Sequence, residues 1–366
     1  MNIGCVKEIK KLEFRVGLTP GSVNEYVKHG HKVYIETNAG LNSGFPDEEY
    51  VRAGAKVIPT EKEVWEKSDM IVKVKEPLKE EYQYFREGLI LYTYLHLAAD
   101  QSLTEALLAK KVKAVAYETI ILEDGTLPCL KPMSSVAGRL GVIEGAKHLQ
   151  KTAGGSGVLI SGVPGTRRAN VTIIGAGVVG ENALQMAVGL GANVTILDIN
   201  IGKLTYLDDI YGNRITTLYS NSHNIKESCK DADLIISGVL LPGAKAPKLI
   251  KREYYKDMKI GSVIVDIAID QGGSTEVSKA TYHDKPTFVV DGIVHYCVAN
   301  MPGAVPQTST IALNNSTLKY GLLIADKGLE DAIKLSEPLR HGVNTYLGKC
   351  TCEGVCQAFD LKYQEM

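Results

Sequence analysis

The sequence predicts an α/β protein of two doubly wound domains, and three observations lead there. Short β-rich runs alternate with helix-length segments along the first 130 residues. A second alternating series follows a glycine-rich stretch at 154–165 and opens on a glycine fingerprint. The chain has 366 residues, which at roughly 150 residues per domain corresponds to about two domains.

Composition narrows the class. Hydrophobic residues make up 45% and charged residues 23%, enough to bury a core and too apolar for a disordered chain. Lys+Arg is 41 and Asp+Glu is 42, so no basic excess recruits nucleic acid. The first residues lack an apolar signal core, and no run approaches ~18 apolar residues. Neither a secretory signal nor a membrane span is predicted, which implies a cytoplasmic location. The seven cysteines are mostly scattered, as expected for free thiols in a reducing compartment. Cys350, Cys352 and Cys356 cluster as C-x-C-x3-C, but zinc needs a fourth ligand and that run offers none, so no metal is predicted.

Strands are expected at 32–36, 55–58, 70–75, 89–95 and 112–117, with helical segments at 20–29, 61–67 and 101–110. Helix-length crossovers between strands imply parallel pairing. Pro132 and Ser134 introduce a helix over about 134–151, with Ser134 or Ser135 as its N-cap. Strands follow at 171–175, 194–198, 215–218, 233–236, 262–266 and 287–290. Beyond about 308 the pattern is helical, without strands, and too short to fold alone. The expected division is a nucleotide-binding domain over 131–305 and a catalytic domain over 1–130, completed by the C-terminal helices of 306–366.

The sharpest local signal is Val171-Thr-Ile-Ile-Gly175-Ala-Gly177-Val-Val-Gly180, a G-x-G-x-x-G between an apolar strand and a helix. Gly175 permits the tight turn, Gly177 lets a pyrophosphate approach the backbone, and Gly180 lets helix and strand pack closely. The free N–H groups at the helix start attract phosphate. The next strand, Val194-Thr-Ile-Leu-Asp198, ends in an acid placed to bind the adenosine ribose hydroxyls. Together these predict a Rossmann domain; the competing reading is a structural turn with Asp198 as a surface acid. A carboxylate there favours NAD by repelling a 2′-phosphate, while nearby Lys203 could touch either cofactor.

A hydride-transfer site also needs a cation for a substrate carboxylate and a proton donor or acceptor. Lys75 ends strand 70–75, His96 follows strand 89–95, and Asp270 follows strand 262–266. Ligands of open α/β sheets bind beyond the carboxyl ends of strands, where these residues would meet if both sheets faced one cleft. A solvated lysine and a hydrogen-bonded structural histidine are the competing readings. Val298-Ala-Asn300-Met301-Pro-Gly-Ala-Val-Pro306 is a loop stiffened by two prolines, either part of the site or a crossover between domains.

These residues together resemble the alanine dehydrogenase family, which includes the nucleotide-binding subunit of proton-translocating transhydrogenase. The resemblance runs from about residue 1 to 330. It is carried by Lys7-Glu-Ile-Lys, Glu13-Phe-Arg15-Val-Gly-Leu-Thr-Pro20, Lys73-Val-Lys75-Glu-Pro77 and Tyr92-Thr-Tyr-Leu-His96. It continues through Pro132-Met-Ser134, Gly138-Arg139, Gly238 to Lys248, Val265 to Gly273 and His295 to Pro306. The resemblance implies reversible NAD-dependent deamination of L-alanine to pyruvate and ammonium, in a homohexamer. Arg15 and Lys75 would hold the substrate carboxylate and oxo group, His96 would be the general acid/base, and Asp270 the second catalytic residue. The cofactor would contact Ser134, Gly175, Gly177, Val178, Val179, Gly180, Asp198, Lys203, Ser220, Val239, Leu240, Ile267, Ala268, Ile269, Asp270, Lys279, Val298, Ala299, Asn300 and Met301. Some relatives have a carboxylate and a histidine proposed as magnesium ligands where this chain has Leu323 and Lys327, so again no metal is expected. Three rivals remain open: an opine- or saccharopine-type enzyme using a side-chain amine, a transhydrogenase subunit, and a non-catalytic nucleotide-binding protein.

Overall fold

The computed structural model describes residues 1–239 and 246–366. They divide into two compact units, Met1–Met133 with Val305–Met366, and Ser134–Ala304. The first unit begins with β1 (Asn2–Cys5), α1 (Pro20–Lys28), β2 (Lys32–Glu36), α2 (Asp47–Arg52), β3 (Lys56–Ile58) and α3 (Glu61–Lys67). It continues with β4 (Met70–Val72), β5 (Ile90–Thr93), α4 (Gln101–Ala109) and β6 (Lys113–Ala116). Then come α5 (Lys131–His148), β7 (Asn170–Ile174), α6 (Val178–Gly189), β8 (Asn193–Asp198), α7 (Ile201–Tyr211), β9 (Ile215–Tyr219) and α8 (Ser222–Asp231). The second unit ends with β10 (Leu234–Ser237), β11 (Val263–Asp266), β12 (Thr287–Val290) and β13 (Ile293–Tyr296). The tail comprises α9 (Pro306–Lys327), α10 (Leu329–Leu335), α11 (Glu337–Gly342), β14 (Val343–Tyr346), β15 (Lys349–Cys350) and α12 (Glu353–Phe359).

The first sheet has the order β15-β14-β6-β5-β4-β1-β2-β3, and β1 to β6 pair in parallel. From β1 the chain moves outward through β2 to β3, then crosses back to β4 on the other side. Strand order therefore reverses between β1 and β4, which leaves a crevice at their carboxyl ends. The second sheet, β12-β13-β11-β10-β7-β8-β9, repeats the pattern, with its reversal between β7 and β10. Central strands such as β4, β5, β10 and β11 are buried at every position, as a parallel sheet covered on both faces requires. Helix starts follow the local chemistry: Thr19 caps α1, with Pro20 in its first turn, Asp100 caps α4 and Asn200 caps α7.

Four features depart from the sequence expectations. The long helix starts at Lys131, so Ser134 and Ser135 lie inside α5 and cap nothing; Pro132 is accommodated in its first turn, where its missing N–H costs no bond. The tail does contain strands: β14 pairs antiparallel with β6, and β15 with β14. Their two-residue link, Leu347-Gly348, is left-handed at both positions, as a tight hairpin turn requires. β13 lies outside the expected strands, although Asp291-Gly292, also left-handed at both positions, is a strong hairpin signal between it and β12. β1 was missed because Gly4 interrupts its apolar run; a Cβ there would lie 2.3 Å from Ser68 Oγ, so glycine is needed for close packing.

Glycines also seat α5 within the second unit. Added Cβ atoms would come within 2.2 Å of the Val179 carbonyl oxygen from Gly138, 2.9 Å of Ile267 from Gly141 and 2.4 Å of Leu234 from Gly145. No described helix is long and apolar enough to cross a membrane.

A buried ion trio fixes the exit of β4. Lys73 Nζ lies 2.8 Å from Glu81 Oε1 and 3.2 Å from Glu8 Oε2, with all three side chains almost fully buried. The second Glu8 oxygen accepts from the backbone N–H groups of Val74 at 2.6 Å and Lys75 at 3.2 Å. Burial raises the pKa of Glu8 despite the opposing pull of Lys73. Lys73→Met would leave two carboxylates facing one another in an apolar core, at a cost of about 3–5 kcal/mol. Without Lys73 to oppose it, burial would raise the Glu8 pKa further, so stability should fall as pH rises, and the loss should be larger at pH 8 than at pH 5. Urea denaturation of both proteins at the two pH values measures this; an equal loss at both would remove the trio from the account.

Candidate active site

Three expected substrate residues follow adjacent strands around the reversal in the first sheet. Arg15 lies on the segment after β1, Lys75 three residues beyond β4, and His96 three residues beyond β5. Both strands end earlier than expected, so Lys75 stands on the loop at the sheet edge and not within a strand, and His96 follows its strand as expected but three residues beyond its end.

Each of these residues is braced by a carboxylate. Arg15 is 2% exposed. Its Nε donates to Glu13 Oε1 at 2.7 Å and its Nη2 to Glu13 Oε2 at 2.6 Å, a two-pronged pair. Nη1 lies 3.1 Å from the Met133 sulfur, a weak acceptor. Burial alone would lower the pKa of Arg15, but Glu13 more than compensates and the net shift is upward. The Lys75 backbone is held by Glu8, as described above. Its carbonyl also accepts from Thr93 Oγ1 at 3.0 Å, tying the β4 exit to that of β5.

His96 occupies the left-handed region, with φ +50°. Glu118, on the turn after β6, accepts from the backbone N–H groups of Leu95 at 3.1 Å and His96 at 2.6 Å. The same carboxylate lies 3.9 Å from His96 Nδ1, while the imidazole remains 47% exposed. Tyr94 stacks on the imidazole, with ring centres 6.0 Å apart and planes within 8°. Its hydroxyl donates to the Cys129 carbonyl at 2.6 Å, and burial raises its pKa far above the usual phenol range. Glu8, Glu13, Tyr94 and Glu118 were not assigned roles from sequence. Only Glu118 has a positional signal, since it follows a parallel strand as His96 does.

In the second unit, most expected cofactor residues follow the carboxyl ends of parallel strands. Gly175 to Gly180 follow β7, Asp198 ends β8, Ser220 follows β9 and Val239 follows β10. Ile267, Ala268, Ile269 and Asp270 form a 3-10 turn after β11, and Val298 to Met301 follow β13. Leu240 lies outside the described residues.

The turn itself suits a dinucleotide. Gly175 has φ +96°, and a Cβ on Gly180 would lie 1.8 Å from the Gly175 carbonyl oxygen. At Gly177 an added Cβ would meet nothing within 4 Å, so the space at the start of α6 stays open. The first backbone N–H groups of α6, at Val178 and Val179, have no acceptor within the helix, and Gly177 supplies no side-chain cap. Asp198 Oδ2 accepts from the Ala176 N–H at 2.5 Å and Oδ1 from the Asn200 N–H at 2.8 Å, so the acid also locks the turn. The Ser220 N–H donates to the Asp198 carbonyl at 2.9 Å, which sets that serine beside the acid.

Other expected cofactor residues have different surroundings. Lys203 pairs with Glu181 and lies over the Tyr206 ring. Lys279 is exposed, its ammonium 4.6 Å over the Phe288 ring. Ser134 lies in the first turns of α5, partly buried. Asp270 is exposed, and the loop after it is held by Lys248, which donates to the carbonyls of Gly272 at 2.5 Å and Gly273 at 2.7 Å. Asn300 is left-handed, with φ +67°, and its carbonyl accepts from the Gly303 N–H at 3.0 Å.

Comparison with known proteins follows the same division. The alanine dehydrogenase/PNT N-terminal domain model matches residues 4–137, and the alanine dehydrogenase/PNT C-terminal domain model matches 141–353. The chain is 56% identical over 364 residues to the alanine dehydrogenase of Methanococcus maripaludis, covering 99% of this chain and 98% of that one. It is 53% identical over 367 residues to alanine dehydrogenase 2 of Staphylococcus aureus, covering 100% of this chain and 98% of that one. A solved L-alanine dehydrogenase, 50% identical, superposes with a TM-score of 0.96 over 98% of this chain and 99% of its own. Two parallel-sheet units, a dinucleotide turn on the second and identity above half along the whole length place the chain in the alanine dehydrogenase/PNT family.

Proposed function

We propose that the protein is an NAD-dependent L-alanine dehydrogenase, interconverting L-alanine with pyruvate and ammonium. The observation that carries this reading is identity above 50% along the full chain with proteins named alanine dehydrogenase. An opine- or saccharopine-type reaction with a side-chain amine is not favoured, because those full-length relatives carry the other name. A cytoplasmic location and a homo-oligomer, a hexamer by family resemblance, accompany the reading.

In the amination direction, the pyruvate carboxylate binds Arg15. Glu13 holds the Nε edge of the guanidinium and so fixes the plane in which Arg15 presents its charge to that carboxylate. Lys75 donates to the keto oxygen and draws charge from the carbon that ammonia attacks. His96 takes a proton from the added nitrogen and returns one to the departing hydroxyl, which leaves as water. Asp270 stabilises the cationic imine. The reduced nicotinamide, when bound, supplies the hydride that reaches the imine carbon. On the second unit, the α6 N-terminus would hold the pyrophosphate and Asp198 the ribose hydroxyls. The preference for NAD rests on that carboxylate and on Lys203, whose ammonium is already engaged by Glu181.

NADH oxidation with pyruvate should require ammonium. Consumption that is independent of ammonium, or that appears only with lysine or ornithine as the amine, would refute the assignment. His96→Asn tolerates the left-handed backbone and should lower kcat by about 10²–10⁴-fold with little change in NADH affinity; unchanged turnover would remove His96 from the proton path. Asp198→Ala should weaken NADH binding and narrow the discrimination against NADPH. Equilibrium fluorescence titration with both cofactors tests this, and a preserved ratio would sink the ribose assignment.

A further inference from the structure

The tail carries three thiols that the dehydrogenase reading leaves without a role. Cys350 ends β15, Cys352 lies on the link that follows, and Cys356 lies within α12. Cys350 and Cys356 are buried in one apolar cluster with Leu97, Leu103 and Val355, while Cys352 is only partly buried. Cys356 Sγ lies 2.6 Å from Cys350 Sγ. That is closer than two unbonded sulfurs rest, and little more than half an ångström beyond a disulfide bond of about 2.05 Å. Cys352 is not part of this pair, since its carbonyl, 3.7 Å away, is what faces the Cys350 thiol.

The backbone already holds the pair in register. The Cys356 N–H donates to the Cys352 carbonyl at 3.0 Å, and the Gln364 N–H to the Cys350 carbonyl at 3.0 Å. Closing the bond asks the two sulfurs to approach by little more than half an ångström. A cleft lined by Glu353, Cys356, Gln357, Asp360, Leu361 and Tyr363 gives Cys356 a route to solution. A metal is a poorer occupant. Zinc needs four ligands, and among the described residues no group of three or more such side chains is placed to hold one.

We propose that Cys350 and Cys356 are a redox modification site, which closes an intrachain disulfide by exchange with a small organic disulfide entering at the Cys356 cleft. The Cys356 sulfur attacks one sulfur of the small disulfide, forming a mixed disulfide and expelling one thiolate, which takes up the Cys356 proton. Cys350 then attacks the Cys356 sulfur, closing the intrachain bond and expelling the second thiolate, which takes up the Cys350 proton. Two protein thiols are oxidised and one small disulfide is reduced to two thiols. A small dithiol reverses both steps. Burial and the adjacent Cys350 push the Cys356 thiol up to about 12. Exchange is therefore slow at neutral pH and quickens as pH rises.

The test uses the whole protein and does not depend on its enzymatic activity. Native protein is incubated with hydroxyethyl disulfide, quenched in acid, denatured, alkylated without reductant and digested with trypsin. One peptide, Cys350 to Lys362, carries all three thiols. Before oxidation it should take three alkyl groups. Afterwards it should take one, on Cys352, with the other two sulfurs joined, and dithiothreitol should restore three. In Cys350→Ser the second step is blocked, so the mixed disulfide should accumulate on Cys356. Three alkyl groups after oxidation, a remaining label on Cys350 or Cys356, or a closed ring in Cys350→Ser would each overturn the proposal.

Discussion

Parallel pairing is the constraint on which the rest depends. Parallel neighbours cannot be joined by a tight turn, so each parallel pair in the two sheets is linked through a crossover, and only the antiparallel pairs β12–β13 and β14–β15 are joined by hairpins. When the direction of winding reverses, the crossovers leave opposite ways and the strand ends between them stay uncovered. That happens once in each sheet, between β1 and β4 and between β7 and β10. Arg15 and Lys75 flank the first gap; the glycine turn and Val239 flank the second.

A gap alone does not make a site, because loops at sheet edges are the softest parts of a fold. Here the basic residues of the first sheet rest on acids. Glu13 grips the Arg15 guanidinium, Glu8 the backbone at Lys75, and Glu118 the backbone at His96. These acids fix direction as much as charge. Glu13 fixes the plane of the guanidinium, and Glu118 holds a histidine in a backbone region that side chains seldom adopt. Asp198 does the same for the glycine turn of the second sheet. Orientation set before a ligand arrives does not have to be supplied by binding.

Legibility in the sequence follows the range of the interactions. β2 and β12 are seen at the expected limits, and the glycine turn is visible because its strand, turn, helix and acid are consecutive. β1 is hidden by Gly4, whose lack of a side chain answers to Ser68, far along the chain. Arg15, on the segment after that hidden strand, comes into view only through family resemblance. Glu118 lies 22 residues from the backbone it braces, and its place just after a parallel strand is the one sign that marks it. The hairpins at Asp291-Gly292 and Leu347-Gly348 are a different case. The Asp-Gly turn is local and readable but is overshadowed by the expectation of a purely parallel sheet, whereas a leucine in the left-handed region is not signalled by its residue type and lies in a helical-looking tail.

The glycine face of α5 makes that helix dependent on its neighbours. Each of its glycines weakens an isolated helix by about 1 kcal/mol relative to alanine. Gly138, Gly141 and Gly145 are needed only because Val179, Ile267 and Leu234 come so near. The helix therefore gains little from its own residues until β10, the start of α6 and the turn after β11 exist to receive it. An alanine at Gly138 would strengthen the isolated helix and yet weaken the folded protein, because its methyl would press on the Val179 carbonyl oxygen.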